Sequence, residues 1–244
     1  MAEATQSKAT TTLPLNWTKK AEHSLLSEFL PVFSQDPKPS EYAGKIEILA
    51  RQTNDRGSQP LWSGYGSNNI AGPERTPNQV RTPALLGSLY TQLVQRRKPS
   101  AIVEFGTAFG VSGMYFLAGI NSNDHGHLFS FEPNEVWGNI AARNLSQIDR
   151  RFTLTLGIFE ENIDLVLPSG ITVDLAFIDA IHTSEFVLPQ LDLVVARCSP
   201  GAIIILDDIN FSEDMQRCWQ TVAADARFIS SAAVAFRVGF LELA

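Results

Sequence analysis

Residues 101–113 read Ala-Ile-Val-Glu-Phe-Gly-Thr-Ala-Phe-Gly-Val-Ser-Gly. The first five, Ala101–Phe105, form an apolar run of strand length broken by one acid, Glu104. Gly106, Gly110 and Gly113 follow at once. Glycines just past a strand let a ligand approach the backbone, because no Cβ intervenes. Open parallel sheets bind ligands beyond the carboxyl ends of their strands. This turn is therefore the first candidate for a cofactor site; the alternative is a tight strand-to-helix turn that needs glycine for packing alone. The spacing is Gly-x3-Gly-x2-Gly, not the Gly-x-Gly-x2-Gly of dinucleotide folds.

Four more short apolar runs follow: Leu128–Phe131, Phe152–Leu156, Val173–Ile178 and Ala202–Leu206. Between and after them lie stretches with helical periodicity, Val111–Ala118, Glu135–Ile148, Glu160–Val166, Ser184–Val195 and Glu213–Ala223. Serial strand–helix units predict a parallel sheet with helices on both faces. Arg227 to Leu243 has no room for a crossover helix and reads as a tight antiparallel hairpin. The predicted class is α/β, a doubly wound Rossmann-like sheet of five parallel strands closed by that hairpin.

Upstream the pattern is different. Residues 1–17 are expected to form a disordered tail on composition. Helical spacing predicts helices over Thr18–Phe29 and Ser40–Thr53. Asn54–Pro77 is dense in glycine and proline and carries Trp62 and Tyr65, which reads either as a lid or as an insertion. Thr82 is expected to cap a helix with Pro83 at its first position. The organisation predicted is a tail (1–17), a helical and lid region (18–82) and the main domain (83–244).

A net charge of −7 argues against a nucleic-acid or anionic-membrane footprint. Cys198 and Cys218 are the only cysteines, too few for a disulfide framework and without metal-site spacing. No secretory or membrane-spanning run is legible. The expectation is a cytoplasmic protein acting on a small molecule, with the N-terminal helices available to a homodimer.

The chemistry-bearing residues sit at strand ends. Glu132 closes the second strand, where an acid accepts hydrogen bonds from a ribose; it serves any adenosine cofactor. Asp179 follows the fourth strand, and Asp207 and Asp208 follow the fifth. In this topology those ends converge, and clustered carboxylates repel unless a cation or protons intervene. A hard divalent cation such as Mg²⁺ prefers such oxygen ligands; the alternative for Asp207 or Asp208 is helix capping. His182, three residues past Asp179, can reach the same rim and suits proton abstraction from a hydroxyl. Its alternative is a histidine satisfied by a backbone group.

These residues resemble a known family. The run at 103–112 resembles the first motif of class I S-adenosylmethionine-dependent methyltransferases, in the Glu-x-Gly-x3-Gly-x-Ser form of the catechol O-methyltransferase-like group. Phe-Ile-Asp-Ala-Ile-His-Thr at 177–183 and Ile-Leu-Asp-Asp at 205–208 resemble that group's metal motifs. The Asp-x2-His form with a paired Asp-Asp is similar to metal-dependent macrolide-sugar and other natural-product O-methyltransferases. The resemblance spans about Pro83 to Ala244. It implies S-adenosylmethionine and a divalent cation as cofactors, and methyl transfer to a hydroxyl of a phenol, sugar or other natural product. The turn residues Glu104, Gly106, Thr107, Gly110 and Ser112 would hold the methionine end, with Asp179 beside them. Glu132 would hold the ribose and Phe159 the adenine. Asp179, Asp207 and Asp208 would bind the metal. Catechol-type enzymes carry lysine at the position of His182 and asparagine at that of Asp208, which leaves His182 open as base or as partner of the metal.

Two rival functions stand beside this one. A nicotinamide-dependent oxidoreductase would need the tighter glycine motif, and it leaves the acids after strands four and five unexplained. A protein of the same fold that binds cofactor without transferring methyl would be an isomerase, a cyclase or a binding module.

Overall fold

The structure is a computed structural model and describes residues 12–65 and 72–244. In chain order the elements are β1 (Leu15–Lys19), α1 (Leu25–Gln35), α2 (Ala43–Asn54), β2 (Gln59–Pro60), a 3₁₀ turn at Ser63–Tyr65, β3 (Glu74–Arg75), α3 (Pro77–Val80), α4 (Ala84–Arg97), β4 (Ala101–Phe105), α5 (Val111–Asn123), β5 (His127–Glu132), α6 (Glu135–Ser146), β6 (Phe152–Leu156), α7 (Phe159–Val166), β7 (Val173–Ile178), α8 (Ser184–Val195), β8 (Cys198–Leu206), α9 (Glu213–Ala223), β9 (Phe228–Val234) and β10 (Val238–Leu243). One eight-stranded sheet runs β1-β9-β10-β8-β7-β4-β5-β6. From β8 to β6 its strands are parallel, and β10, β9 and β1 continue it antiparallel. The expected five parallel strands and closing hairpin are therefore present, and β10 inserts between β8 and β9.

All five residues of β4 are buried, since helices cover both sheet faces. Alternate side chains divide between two cores. Ile102, Leu175 and Phe177 pack with α1, α2, α4 and α5. Val103, Ala176 and Ile178 pack with α7, α8 and α9. A period of two thus sends each strand's apolar residues into both layers, the reason the strands read as continuous apolar runs.

The N-terminal region departs from expectation. Leu15–Lys19 is a strand paired with β9, so the tail cannot extend to residue 17 and the helix does not begin at Thr18. Residues 1–11 lie outside the described residues. Exposure alternates along Leu-Asn-Trp-Thr-Lys, the signature of an edge strand that a helical reading of Ala21, Leu25 and Phe29 overrode. The helix starts later because Ser24 caps it, exchanging hydrogen bonds with Ser27. Pro83 is itself the cap residue of α4, one position later than expected.

The start of α1 is tied to the sheet by Glu242, whose two carboxylate oxygens accept from the Leu25 and Leu26 amides at 3.0 and 2.9 Å. These amides lack intrahelical acceptors, and a carboxylate also suits the positive end of the helix. Glu242→Ala is expected to cost about 2–3 kcal/mol, read as a lower urea midpoint at unchanged m-value. An unchanged midpoint would show that water replaces the carboxylate at no loss.

Among the described residues no helix is long and apolar enough to cross a membrane.

Candidate active site

The carboxyl ends of the parallel strands are stitched to one another. Gly106 N–H donates to Phe131 O, Asp179 N–H to Phe105 O and Asp207 N–H to Ile178 O, at 3.0–3.1 Å. Parallel register therefore delivers the glycine turn, Glu132, Asp179 and Asp207 to one edge of the sheet.

The turn is held from below. Glu104 is fully buried; its carboxylate accepts from Ser112 Oγ at 2.6 Å and Ser130 Oγ at 2.5 Å, and the Thr107 hydroxyl bonds Ser130 Oγ. Glu104 thus lies beneath the turn and lines neither cavity described below. Gly106 and Gly110 take φ of +83° and +84°, and Ala108 takes +46°. Glu132 stabilises this backbone: its Oε2 accepts from Ala108 N–H at 2.7 Å and its Oε1 from Asn134 N–H at 2.8 Å. Gly110 caps α5 and packs on Ala141 of α6.

Burial pushes both Glu104 and Glu132 up to about 7, against the lowering effect of their hydrogen bonds. A carboxyl with a folded value near 7 keeps a proton that the unfolded chain, at 4.5, has released. Its contribution to stability is complete below about pH 4.5 and is lost as pH rises through 7, at a cost of roughly 3 kcal/mol per group. Glu104→Gln is expected to shrink the stability difference between pH 5 and pH 8 by about 2–3 kcal/mol, measured by urea unfolding. An identical pH dependence in the variant would contradict the assignment.

Two cavities open at the turn and share Gly106. A cavity of about 320 Å³ is walled by Trp62, Phe131, Glu132, Phe159, Ile181 and Phe186, among others. Phe159 packs its ring on Phe105, 3.7 Å between centroids, and edge-on to Phe131. A smaller cleft lies between the segment Val80–Thr82 and the turn, with Thr107, Ser112 and Asp179 in its walls. The loop expected over Asn54–Pro77 is partly structured: β2 pairs with β3, and Asn134 Nδ2 donates to Pro60 O at 2.7 Å. This fastens Trp62 over the larger cavity, while the side chain of Tyr65 lies outside the described residues.

Asp179, His182 and Asp208 form a second feature at the same edge. One ligand atom from each lies within 4.8 Å of the others. His182 Nε2 is 3.7 Å from Asp179 Oδ1 and 3.5 Å from Asp208 Oδ2. Burial and the neighbouring Asp207 and Asp208 push Asp179 well above the usual carboxylate range. Burial lowers His182, although the neighbouring Asp208 and Asp207 oppose the shift. Asp208 sits at φ +51°, a strained conformation for a non-glycine residue.

Asp207, expected beside Asp179 and Asp208 as a ligand, has a different partner in the structure. It is buried, and both its oxygens take a bidentate guanidinium from Arg237 at 3.0 Å. Its Oδ1 also accepts from Asp208 N–H at 2.9 Å. The strand end aims Asp207 inward and the left-handed turn aims Asp208 outward, so adjacent acids have different partners. His182 is the third member of the group with Asp179 and Asp208.

Residues 103–209 match the family model described as methyltransferase domain. The match runs from within β4 to just past the paired acids at the end of β8. The structure is similar to the O-methyltransferase TomG from Streptomyces achromogenes, solved with S-adenosylmethionine, at 17% identity, TM-score 0.60, 89% of this chain and 95% of that one. It is similar to the O-methyltransferase from Bacillus cereus, solved with S-adenosylhomocysteine, at 18% identity, TM-score 0.59, 88% of this chain and 96% of the other. It also resembles the Podospora anserina methyltransferase PaMTH1, bound to S-adenosylhomocysteine, at 14% identity, TM-score 0.56, 85% and 97% coverage. The fold is that of the class I S-adenosylmethionine-dependent methyltransferases.

The sequence reading missed Arg237. It stands after the β9–β10 turn, where Ala235 and Phe236 both have positive φ, and its backbone carbonyl accepts from Ile209 N–H at 2.9 Å. No local motif marks it; pairing of β10 with β8 brings it to the acids. Ser130, inside a strand, was also missed. Its hydroxyl is a buried link between Glu104 and Thr107, and an isolated serine in an apolar run is the one signal of it.

Proposed function

We propose that this chain transfers the methyl group of S-adenosylmethionine to a hydroxyl of a small molecule, assisted by a divalent cation held by Asp179, His182 and Asp208. The observation that carries this reading is the position of Asp179, which lines the cleft at the glycine turn and also belongs to the three-residue donor set. One carboxylate thus joins a cofactor site to an acceptor site.

The donor set fits a hard cation. Three carboxyls, Asp179, Asp207 and Asp208, meet one guanidinium, that of Arg237, an imbalance that a bound cation would relieve. Arg237 occupies Asp208 Oδ1 and leaves Oδ2 facing His182. The two carboxylate oxygens suit magnesium or manganese, and the imidazole favours the softer manganese of the two, with remaining positions for water or substrate oxygens.

When bound, S-adenosylmethionine supplies an electrophilic methyl group, and the cation supplies charge that lowers the pKa of a nearby hydroxyl. The chain's own residues do the rest. Phe159 and Ile158 offer an apolar wall to an adenine, Glu132 stands in the same cavity for a ribose, and Trp62 covers it. Glu104, Ser112 and Ser130 fix the turn, so that positioning, worth up to roughly 7–11 kcal/mol in favourable cases, is established before the reactants meet. Phe211 packs on the His182 ring at 5.1 Å between centroids and exposes most of its surface, forming one wall of the acceptor side.

A second reading keeps His182 as the base that accepts the hydroxyl proton. Its Nε2 faces both carboxylates, which favours the ligand role, since the same nitrogen cannot serve both. Mn²⁺ titration of His182→Ala separates them: retained binding with lost transfer assigns the base.

The function is tested by calorimetric titration with S-adenosylhomocysteine against NAD, then by transfer of labelled methyl to a panel of hydroxylated acceptors with and without EDTA. Binding of the first ligand alone and EDTA-sensitive transfer are expected. Binding of NAD alone would overturn the reading, and transfer indifferent to EDTA would remove the cation from it.

A further inference from the structure

We propose that Arg237 is a positioning residue for the cation site. The tip of the β9–β10 hairpin carries it to the end of β8, where it holds Asp208 with one carboxylate oxygen turned toward His182. The inference rests on the proposed cation and adds a residue from a segment that supplies no ligand.

Arg237 grips three consecutive residues. Its Nε and Nη2 donate to the two oxygens of Asp207, each at 3.0 Å. Its Nε also lies 2.9 Å from Asp208 Oδ1. Its backbone carbonyl accepts from Ile209 N–H at 2.9 Å. Asp207 completes the clamp, since its Oδ1 accepts from Asp208 N–H. Asp208 is thus held at backbone and side chain, and its Oδ2 is left 3.5 Å from His182 Nε2. A left-handed backbone such as that of Asp208, at φ +51°, persists where its surroundings hold it in this way.

The hairpin explains how a distant arginine arrives there. Arg237 N–H donates to Val234 O at 3.1 Å, closing a tight turn whose central residues, Ala235 and Phe236, take φ of +53° and +57°. Such turns favour asparagine and glycine at these places. Phe236 is 60% exposed, so burial of its ring does not offset the strain. The turn fixes where β10 begins, and β10 sets Gly239 opposite Leu206 of β8. Continued by two residues, that antiparallel register puts Arg237 opposite Asp208. A charge needed only to neutralise the acids could come from lysine; setting the direction of a carboxylate calls for the planar fork.

The test follows Mn²⁺ binding by electron paramagnetic resonance in wild type, Arg237→Lys, Asp208→Ala and the double variant. Lysine keeps the charge and loses the fork. Arg237→Lys is expected to weaken Mn²⁺ by roughly 10- to 100-fold, the range for loss of a group that orients a ligand, and to alter the line shape of the bound ion. Its near-ultraviolet circular dichroism stays that of wild type, reporting an intact fold. In the Asp208→Ala background the same change shifts Mn²⁺ affinity by no more than about twofold, because the carboxylate it acts through is gone. Unchanged affinity in Arg237→Lys overturns the proposal, as does a full further loss in the double variant. A loss of Mn²⁺ together with the near-ultraviolet spectrum also overturns it, since the arginine then serves the fold alone. Wild type that binds no Mn²⁺ overturns the cation reading itself, a different failure.

Discussion

Gly106→Ala is expected to destabilise the chain by about 3–5 kcal/mol and to abolish S-adenosylhomocysteine binding. Two effects add. The residue sits at φ +83°, where a Cβ costs roughly 1–2 kcal/mol. That Cβ would also lie far inside van der Waals contact of the Asp179 carbonyl, which is backbone and cannot swing aside. The chain must then separate the end of β4 from the end of β7, the place where the small cleft and Asp179 meet. Gly110→Ala is the control. It has the same sign of φ, at +84°, but its Cβ would meet Ala141 at 3.2 Å, a contact that yields with small shifts. It is expected to lose only about 1–2 kcal/mol. Thermal unfolding of the two variants, with calorimetric titration of ligand, checks both. Equal losses would show that backbone strain alone decides, and that the β4–β7 contact is not the constraint.

The second large effect is expected at Asp179. Asp179→Ala should lower Mn²⁺ affinity at least about 100-fold, beyond what loss of an outer partner costs, and reduce methyl transfer by at least about 100-fold. Yet the cation-free variant should be no less stable than wild type. The Asp179 carboxyl is buried beside Asp207 and Asp208 and is pushed up by them; removing it relieves that repulsion. Asp207→Ala should behave in the opposite way. It leaves Arg237 without its bidentate partner in a mostly buried place, at about 3–5 kcal/mol. Mn²⁺ titration followed by electron paramagnetic resonance, run beside urea unfolding, separates the roles. Should Asp207→Ala lose the metal at full stability while Asp179→Ala unfolds, the two acids have been assigned the wrong way round.

The contrast between these acids shows how far the residues alone can be read. Asp179, Asp207 and Asp208 were legible as a cluster because each directly follows an apolar run, and parallel strands end at a common edge. Which of them turn outward was not legible. That depends on φ at Asp208 and on Arg237, which is 30 residues from Asp207 in the chain. Glu132 was read as a ribose ligand from its place at a strand end, and it does line the larger cavity. Its carboxylate also carries the backbone of the turn, a duty visible only once Ala108 and Asn134 are folded against it.

The local pattern by itself determined the parallel strands, the helices between them and the closing hairpin, because burial on both faces forces long apolar runs and a short connection forbids a crossover. It determined the glycine bend and the order of the acids for the same reason: these features lie within a few residues of a strand end. Tertiary structure alone decided the edge strand β1, whose partner β9 is the better part of the chain away, and the placements of Arg237 and Ser130. Each of these acts through contacts between distant segments, and the energy of such a contact is written in no single stretch of sequence.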